Sequence, residues 1–180
     1  MKNNPLPRLD VSPEIHDALL KYCRLNLGDV WQDPEGRHRV GCLDASNHRH
    51  IRQLMSGRFA QLAIHDPPYN LIAFDTRNIS DYISWCRKWI TNTVESISEN
   101  ASLYVWLGAD QTDGFQPLPG FMIMMREFAL KSRSLLTMRN QRGYGTQKNW
   151  MALRQELLYY IRGVPTFNIE AEYTDIPKIL

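Results

Sequence analysis

The chain is 180 residues long, 43% apolar and 22% charged, which suits one globular domain with its own core and argues against a disordered or fibrous chain. Its net charge of +2 falls short of the strongly basic signature of a dedicated nucleic-acid module. Three scattered cysteines without Cys-x-x-Cys spacing, no apolar run near about 18 residues, and no apolar stretch behind the opening MKNNPLPRLD disfavour a disulfide framework, a zinc site, secretion and membrane insertion, and fit a reducing cytoplasmic setting.

In chain order, residues 1–11 hold Pro5 and Pro7 and read as an extended arm. Ser12-Pro13-Glu14 then starts a helix: a hydroxyl cap followed by proline at the first helical position. Ile15, Leu19, Leu20 and Cys23 carry that helix to about residue 26, so residues 1–27 form an N-terminal arm and helix. Gly28 to Arg39 is polar and reads as loop, and Val40 to Asp44 as a short strand edge. Asn47 caps a helix over 47–56, with Gly57 as its stop. Ala60 to Ile64 reads as a buried parallel strand feeding Asp66-Pro67-Pro68-Tyr69-Asn70, since two prolines forbid its continuation and fix the backbone.

Ile79, Tyr82, Ile83, Cys86, Ile90, Val94 and Ile97 mark a long amphipathic helix over 79–98. ASLYVWL (101–107) is a strand, 109–120 a loop, 121–130 a helix and 135–140 a strand. QRGYGTQKNW (141–150) is a polar loop with aromatic residues, and LLYYI (157–161) a strand stopped by Arg162-Gly163. Strands alternating with helices predict an α/β sheet with helices on both faces. Ligands of such sheets bind at the carboxyl ends of the strands, where Asp66 falls.

Two segments concentrate positive charge. Residues 47–58 carry His48, Arg49, His50, Arg52 and Arg58. Residues 131–154 carry Lys131, Arg133, Arg139, Arg142, Lys148 and Arg154 with no acid among them. Either segment can meet phosphates or serve as a solvated face. His48-x-His50 with His38 lacks a completing ligand, so the basic helix, not a metal site, is the expectation there. His65 reads as a structural strand-end histidine, Asp75 and Asp81 as helix-start acids, and Trp85, Trp89 and Trp106 as core.

The Asp66-Pro67-Pro68-Tyr69 turn offers a carboxylate, a proline-fixed carbonyl and a ring. The first two can grip an amino group and the third can stack on a planar base. After an apolar strand, this tetrad resembles the catalytic motif of the S-adenosylmethionine-dependent DNA amino-methyltransferases. The resemblance spans residues 28–170. It includes WQDP (31–34), Arg37-His38-Arg39 and GCLD (41–44) upstream, and ASLYVWLG (101–108), RNQRGYGTQKNW (139–150) and RQELLYYIRG (154–163) downstream, in the order of the beta-type enzymes.

That resemblance implies a Rossmann-like methyltransferase sheet over 28–180, with S-adenosylmethionine as cofactor, DNA as substrate and no metal. Asp66 and the Pro67 carbonyl would hold the target amino group within the rigid Asp66-Pro67-Pro68 turn, and Tyr69 would stack on the flipped base. Asp44, Asp66 and Pro67 would border the cofactor, and Tyr69, Asn70, Tyr144, Lys148, Asn149 and Trp150 would face the DNA. An aspartate heading the tetrad is more usual for N6-adenine methylation, and a serine for N4-cytosine methylation. The family also carries a Phe-x-Gly-x-Gly cofactor loop. This sequence has none, Gly143-Tyr144-Gly145 being the nearest match.

The expectation is therefore a partial fold, the catalytic half: a fragment, a natural half whose cofactor half comes from a second chain or by self-association, or a decayed gene product. A half-sheet leaves an open edge, hence the further expectation of self-association or poor solubility. N4-cytosine methylation, a truncated or inactive DNA-binding subunit, and an RNA substrate are the alternatives. Restriction-modification, a phage countermeasure and regulation all remain open as roles.

Overall fold

The computed structural model describes residues 24–68, 78–107, 115–144 and 152–167, together with Glu14, Asp17 and Ala18. The helix expected over 15–26 lies almost wholly outside the described residues, as does Asp75. In chain order the elements are β1 (Val30–Gln32), β2 (Arg39–Gly41), α1 (His48–Met55), β3 (Ala60–His65), α2 (Ile79–Ser96), β4 (Ile97–Leu107), α3 (Pro117–Met124) with a 3-10 turn (Met125–Glu127), β5 (Lys131–Tyr144) and β6 (Ala152–Arg162). This is the α/β class that the alternating pattern predicts, but among the described residues the helices cover one face of the main sheet and not both.

The main sheet has the order β3-β4-β6-β5. β3 and β4 run parallel, joined by α2 as the crossover. β6 is antiparallel to both β4 and β5. α2 begins at Asn78, whose Oδ1 accepts from the Asp81 N–H at 2.9 Å while its Nδ2 donates to Asp81 Oδ2 at 2.8 Å. Asp81 is thus a helix-start acid, as its position predicts.

Side chains alternate across β4 and β6, and the alternation decides where the core lies. Leu103, Val105 and Leu107 pair with Tyr160, Leu158 and Glu156 on one face. Tyr82, Cys86, Trp89 and Ile90 of α2 and Phe121 and Met124 of α3 pack against that face. Trp89 stacks on Phe121 with centroids 5.9 Å apart, and Tyr82 meets Phe115 edge-on at 5.4 Å. An added Cβ at Gly120 would come within 3.2 Å of Ile83 Cγ1, so glycine there sets how closely α3 lies on α2. Of the tryptophans read as core, Trp89 is buried and Trp85 packs on the cluster's margin. Trp106 is half-buried on the opposite face.

That opposite face carries Leu62 and Ile64 of β3 beside Ser102 and Tyr104. Leu157 and Tyr159 of β6 join them, and Leu136 of β5 lies opposite Leu157. Tyr104 and Tyr159 stack 4.4 Å apart and almost parallel. Leu62 and Ile64 remain 53% and 63% exposed. β3 is parallel as predicted, but among the described residues it is an edge strand and not a buried one. A short, largely apolar run looks the same in both settings, and only the strand order separates them.

Other boundaries also moved. The polar stretch 28–39 contains β1 and pairs with β2 as a hairpin, Trp31 opposite Val40. Three-residue strands are too short to show a two-residue period. The loop expected over 109–120 gives way to α3 at Pro117, because proline suits the first helical position. Of that helix, expected to reach 130, only residues up to Met124 are α-helical. β5 extends to Tyr144, into the segment read as a loop.

Beyond β6, Gly163 turns the chain with φ +56°, and a Cβ there would collide with Asn100 Oδ1 and the Glu99 carbonyl. Asn100 Oδ1 in turn accepts from the Val164 N–H at 2.8 Å. Gly163→Ala should therefore destabilise the fold by about 1–3 kcal/mol, through backbone strain and the displaced Asn100. A urea-unfolding midpoint equal to that of the parent chain would refute this account.

Candidate active site

β3 ends where its sequence forces it to end. His65 is still paired with Val105 of β4, but Pro67 and Pro68 lack amide hydrogens and cannot extend a ladder. Asp66 is exposed, Pro67 is buried and Pro68 is intermediate. The buried proline wedges the turn in place and leaves the carboxylate before it facing outward, at the carboxyl edge of the sheet.

His65 lies on the covered side of β3. Its Nε2 is 2.9 Å from Thr93 Oγ1, and its ring centroid is 5.1 Å from that of Trp89. Thr93 Oγ1 donates its own proton to the Trp89 carbonyl at 2.8 Å. With that proton committed, the hydroxyl oxygen accepts from His65 Nε2–H, which leaves Nδ1 with the lone pair. Burial lowers the His65 pKa from 6.5 to about 4. The imidazole beside Asp66 is therefore neutral at physiological pH and structural, as the sequence predicts.

The Asp44 loop is fixed by a dense set of local bonds. Asp44 Oδ1 accepts from both the N–H and the hydroxyl of Ser46, each at 2.8 Å. The Asp44 N–H donates to His50 Nδ1 at 3.0 Å, so His50 holds the loop and its helix together. Asn92 Nδ2 of α2 donates to the Ala45 carbonyl at 2.8 Å. Asn92 and Thr93 are consecutive, so one turn of α2 anchors both the Asp44 loop and the strand end that bears Asp66. Sequence reading passed over these two residues. The available signal was Thr93 falling in register with Tyr82, Cys86 and Ile90 on an otherwise apolar stripe. Both are buried polar residues, Asn92 at 5% and Thr93 at 8% exposure.

Asp66, Pro67 and Pro68 thus stand at one sheet end, and Asp44 lies in a loop tied to the same helix. Tyr69, Asn70, Lys148, Asn149 and Trp150 lie outside the described residues. Tyr144 is the last residue of β5, its backbone opposite Ala152. β5 runs in the same direction as β3 and β4, so Tyr144 lies toward the end of the sheet that bears Asp66. Past Leu107, β6 has only β5 beside it among the described residues, and the register there sets Arg139 opposite Arg154.

The histidine has a measurable consequence. Because its folded pKa is depressed, His65 takes up a proton in the unfolded chain below about pH 6.5 while staying neutral in the folded one down to about 4. Its contribution to stability is full above 6.5 and falls as pH drops through that window, by at most about 3 kcal/mol. The His65→Gln variant should show a flatter loss of stability between those pH values in chemical denaturation. An equally steep loss in the variant would assign the effect to other groups.

No curated protein matches the chain. Among the solved structures that align with it are three at low identity. M1.HpyAVI does so at 11% identity, covering 66% of this chain and 54% of that one, with a TM-score of 0.45. M1.HpyAVI in its SAM complex aligns at 8%, covering 63% and 48%, with a TM-score of 0.44. TTHA0409 from Thermus thermophilus, named as a DNA modification methylase, aligns at 14%, covering 67% and 54%, with a TM-score of 0.47. The chain spans about half the length of these structures. The model of the DNA methylase family N6_N4_Mtase matches residues 60–174, which is more than half of the sequence and contains all of β3 to β6 and the Asp66 turn. The chain belongs to the N6/N4 DNA methylase family.

Proposed function

We propose that this chain is the catalytic part of a DNA methyltransferase that moves a methyl group from S-adenosylmethionine to the N6 amino group of adenine. The observation that carries the proposal is the end of β3. A family-matched parallel strand is stopped by two prolines, with Asp66 exposed and Pro67 buried behind it. Asp66 at the head of the turn favours adenine, and N4-cytosine methylation is the second reading.

An adenine amino nitrogen is a poor nucleophile because its lone pair is delocalised into the ring. Asp66 accepts one N–H of that group and the Pro67 carbonyl accepts the other. The two bonds pull the nitrogen toward tetrahedral geometry and free its lone pair for in-line attack. Tyr69 stacks on the base once it has left the duplex. Orientation supplies much of the rate, so no strong base is needed, and the proton lost from nitrogen passes through the Asp66 carboxylate to water. His65, neutral and bonded to Thr93, holds the strand end without taking part in proton transfer. DNA-side contacts come from Tyr69, Asn70, Tyr144, Lys148, Asn149 and Trp150, with Arg139 and Arg154 along the β5–β6 ribbon meeting phosphates.

S-adenosylmethionine, when bound, supplies an electrophilic methyl group on a cationic sulfur. The residues present suit part of it. Asp44 uses only Oδ1 within its loop, which leaves Oδ2 for a hydroxyl or cationic group, and Asp66 and Pro67 border the same end of the sheet. The β3 edge, open among the described residues, with Leu62 and Ile64 on the adjoining exposed face, is the place where a complementary half would pair. No helix among the described residues is long and apolar enough to cross a membrane. A cytoplasmic location is part of the proposal, and the free thiols of Cys42 and Cys86 support it.

Two measurements test the reading. Asp66→Asn should lower methyl transfer to DNA by roughly 10²-fold or more while leaving the fold intact, and nucleoside mass spectrometry should show N6-methyladenine. N4-methylcytosine would select the second reading, and full activity in the variant would remove Asp66 from the chemistry. Sedimentation of the parent chain should show self-association that Ile64→Lys reverses. A clean monomer at high concentration would rule out pairing with a second copy through the β3 edge.

A further inference from the structure

Of the basic segment over 47–58, His50 holds the Asp44 loop, while His48, Arg52 and Arg58 lie apart from the site described above. His48, Arg52 and Met55 recur at helical spacing on one side of α1. With Arg58, Phe59 and Glu95 they surround an open cavity of about 370 Å³ where the end of α2 meets the start of β3. His48 Nε2 pairs with Glu95 Oε2 at 3.1 Å. Arg58 Nη1 donates to the Gly36 carbonyl at 3.2 Å, which fixes that guanidinium at the cavity wall. Among the described residues Arg52 has no ion pair or side-chain hydrogen bond, and Phe59 is 66% exposed. Two arginines and one carboxylate that already has a histidine partner therefore line the cavity. The cavity carries an uncompensated positive charge beside an exposed aromatic ring.

We propose that this cavity is a second DNA contact, in which Arg52 and Arg58 hold a backbone phosphate remote from the target base and Phe59 packs against the adjoining sugar. The inference rests on the DNA reading of the Asp66 end. β3 lies between the two sites, and its residues at about 3.3 Å each separate them by roughly 20 Å. At about 3.4 Å per nucleotide along one strand, the contacted phosphate falls roughly six nucleotides from the flipped base. Contacts of this kind set register and orientation without reading sequence.

The test is fluorescence anisotropy with a labelled DNA duplex of about 30 base pairs at several salt concentrations, using the full chain. Arg52→Gln is the first variant, because among the described residues the Arg52 side chain makes no hydrogen bond or ion pair; Arg52→Lys keeps the charge, and Asp66→Asn serves as the catalytic control. The expected result is a salt slope lower by about one in Arg52→Gln, with weakening that is uniform across sequences. Arg52→Lys should keep the parent slope, and so should Asp66→Asn, even where methyl transfer is lost.

Shortening the duplex to about three base pairs on each side of its centre should abolish the difference between Arg52→Gln and the parent chain. Parent-like affinity and slope in Arg52→Gln would overturn the inference while leaving the catalytic reading intact. So would a cavity that takes inorganic phosphate, followed by the Phe59 ring resonances, in a chain with no affinity for DNA. Loss of methylation in Asp66→Asn with unchanged binding leaves the two conclusions separate, since only the first depends on the carboxylate.

Discussion

Everything at the candidate site depends on where β3 stops. His65 makes the last pairing with β4, and the two prolines that follow cannot donate to any neighbour. The chain must leave the sheet there, with Pro67 buried and Asp66 outside it. A carboxylate on a flexible loop would sample many positions, each at an entropic cost on binding. One held behind a buried proline at a strand end is already placed, and this is the kind of preorganisation that methyl transfer to a weak nucleophile requires.

α2 extends that constraint to a second segment. Thr93 Oγ1 accepts a hydrogen bond from His65 Nε2–H and Asn92 donates to the Ala45 carbonyl, so the crossover helix that makes β3 and β4 parallel also fixes the Asp44 loop. Both polar side chains are buried and both have partners. Leaving either orphaned would cost about 1–3 kcal/mol. The arrangement divides labour along one helix. Trp89, Ile90 and Cys86 bury apolar area against β4, and the turn that begins at Asn92 spends its burial on positioning.

How much of this was legible beforehand depended on length and periodicity. The basic helix with its Asn47 cap, the long helix after residue 78 and the strand through ASLYVWL all showed in the sequence, because each repeats its pattern over many residues. The Asp66 turn showed because proline has one backbone meaning in that place. The β1–β2 hairpin did not show, since its strands hold only three residues each. Nor did the start of α3, where Pro117 and Pro119 read as loop although proline also begins helices. The exposed state of β3 was out of reach: Leu62 and Ile64 are the same residues at an edge or in a centre, and only sheet order distinguishes them. Asn92 and Thr93 were hidden for a related reason, since their partners lie 47 and 28 residues away in sequence.

The apolar face that includes Leu62, Ile64, Leu136 and Met138 has a thermal consequence. Removing such surface from water is driven almost wholly by entropy near room temperature and carries a negative heat-capacity change. Any assembly that closes on this face is therefore loosened by cooling, down through the range in which the fold itself is near its stability maximum.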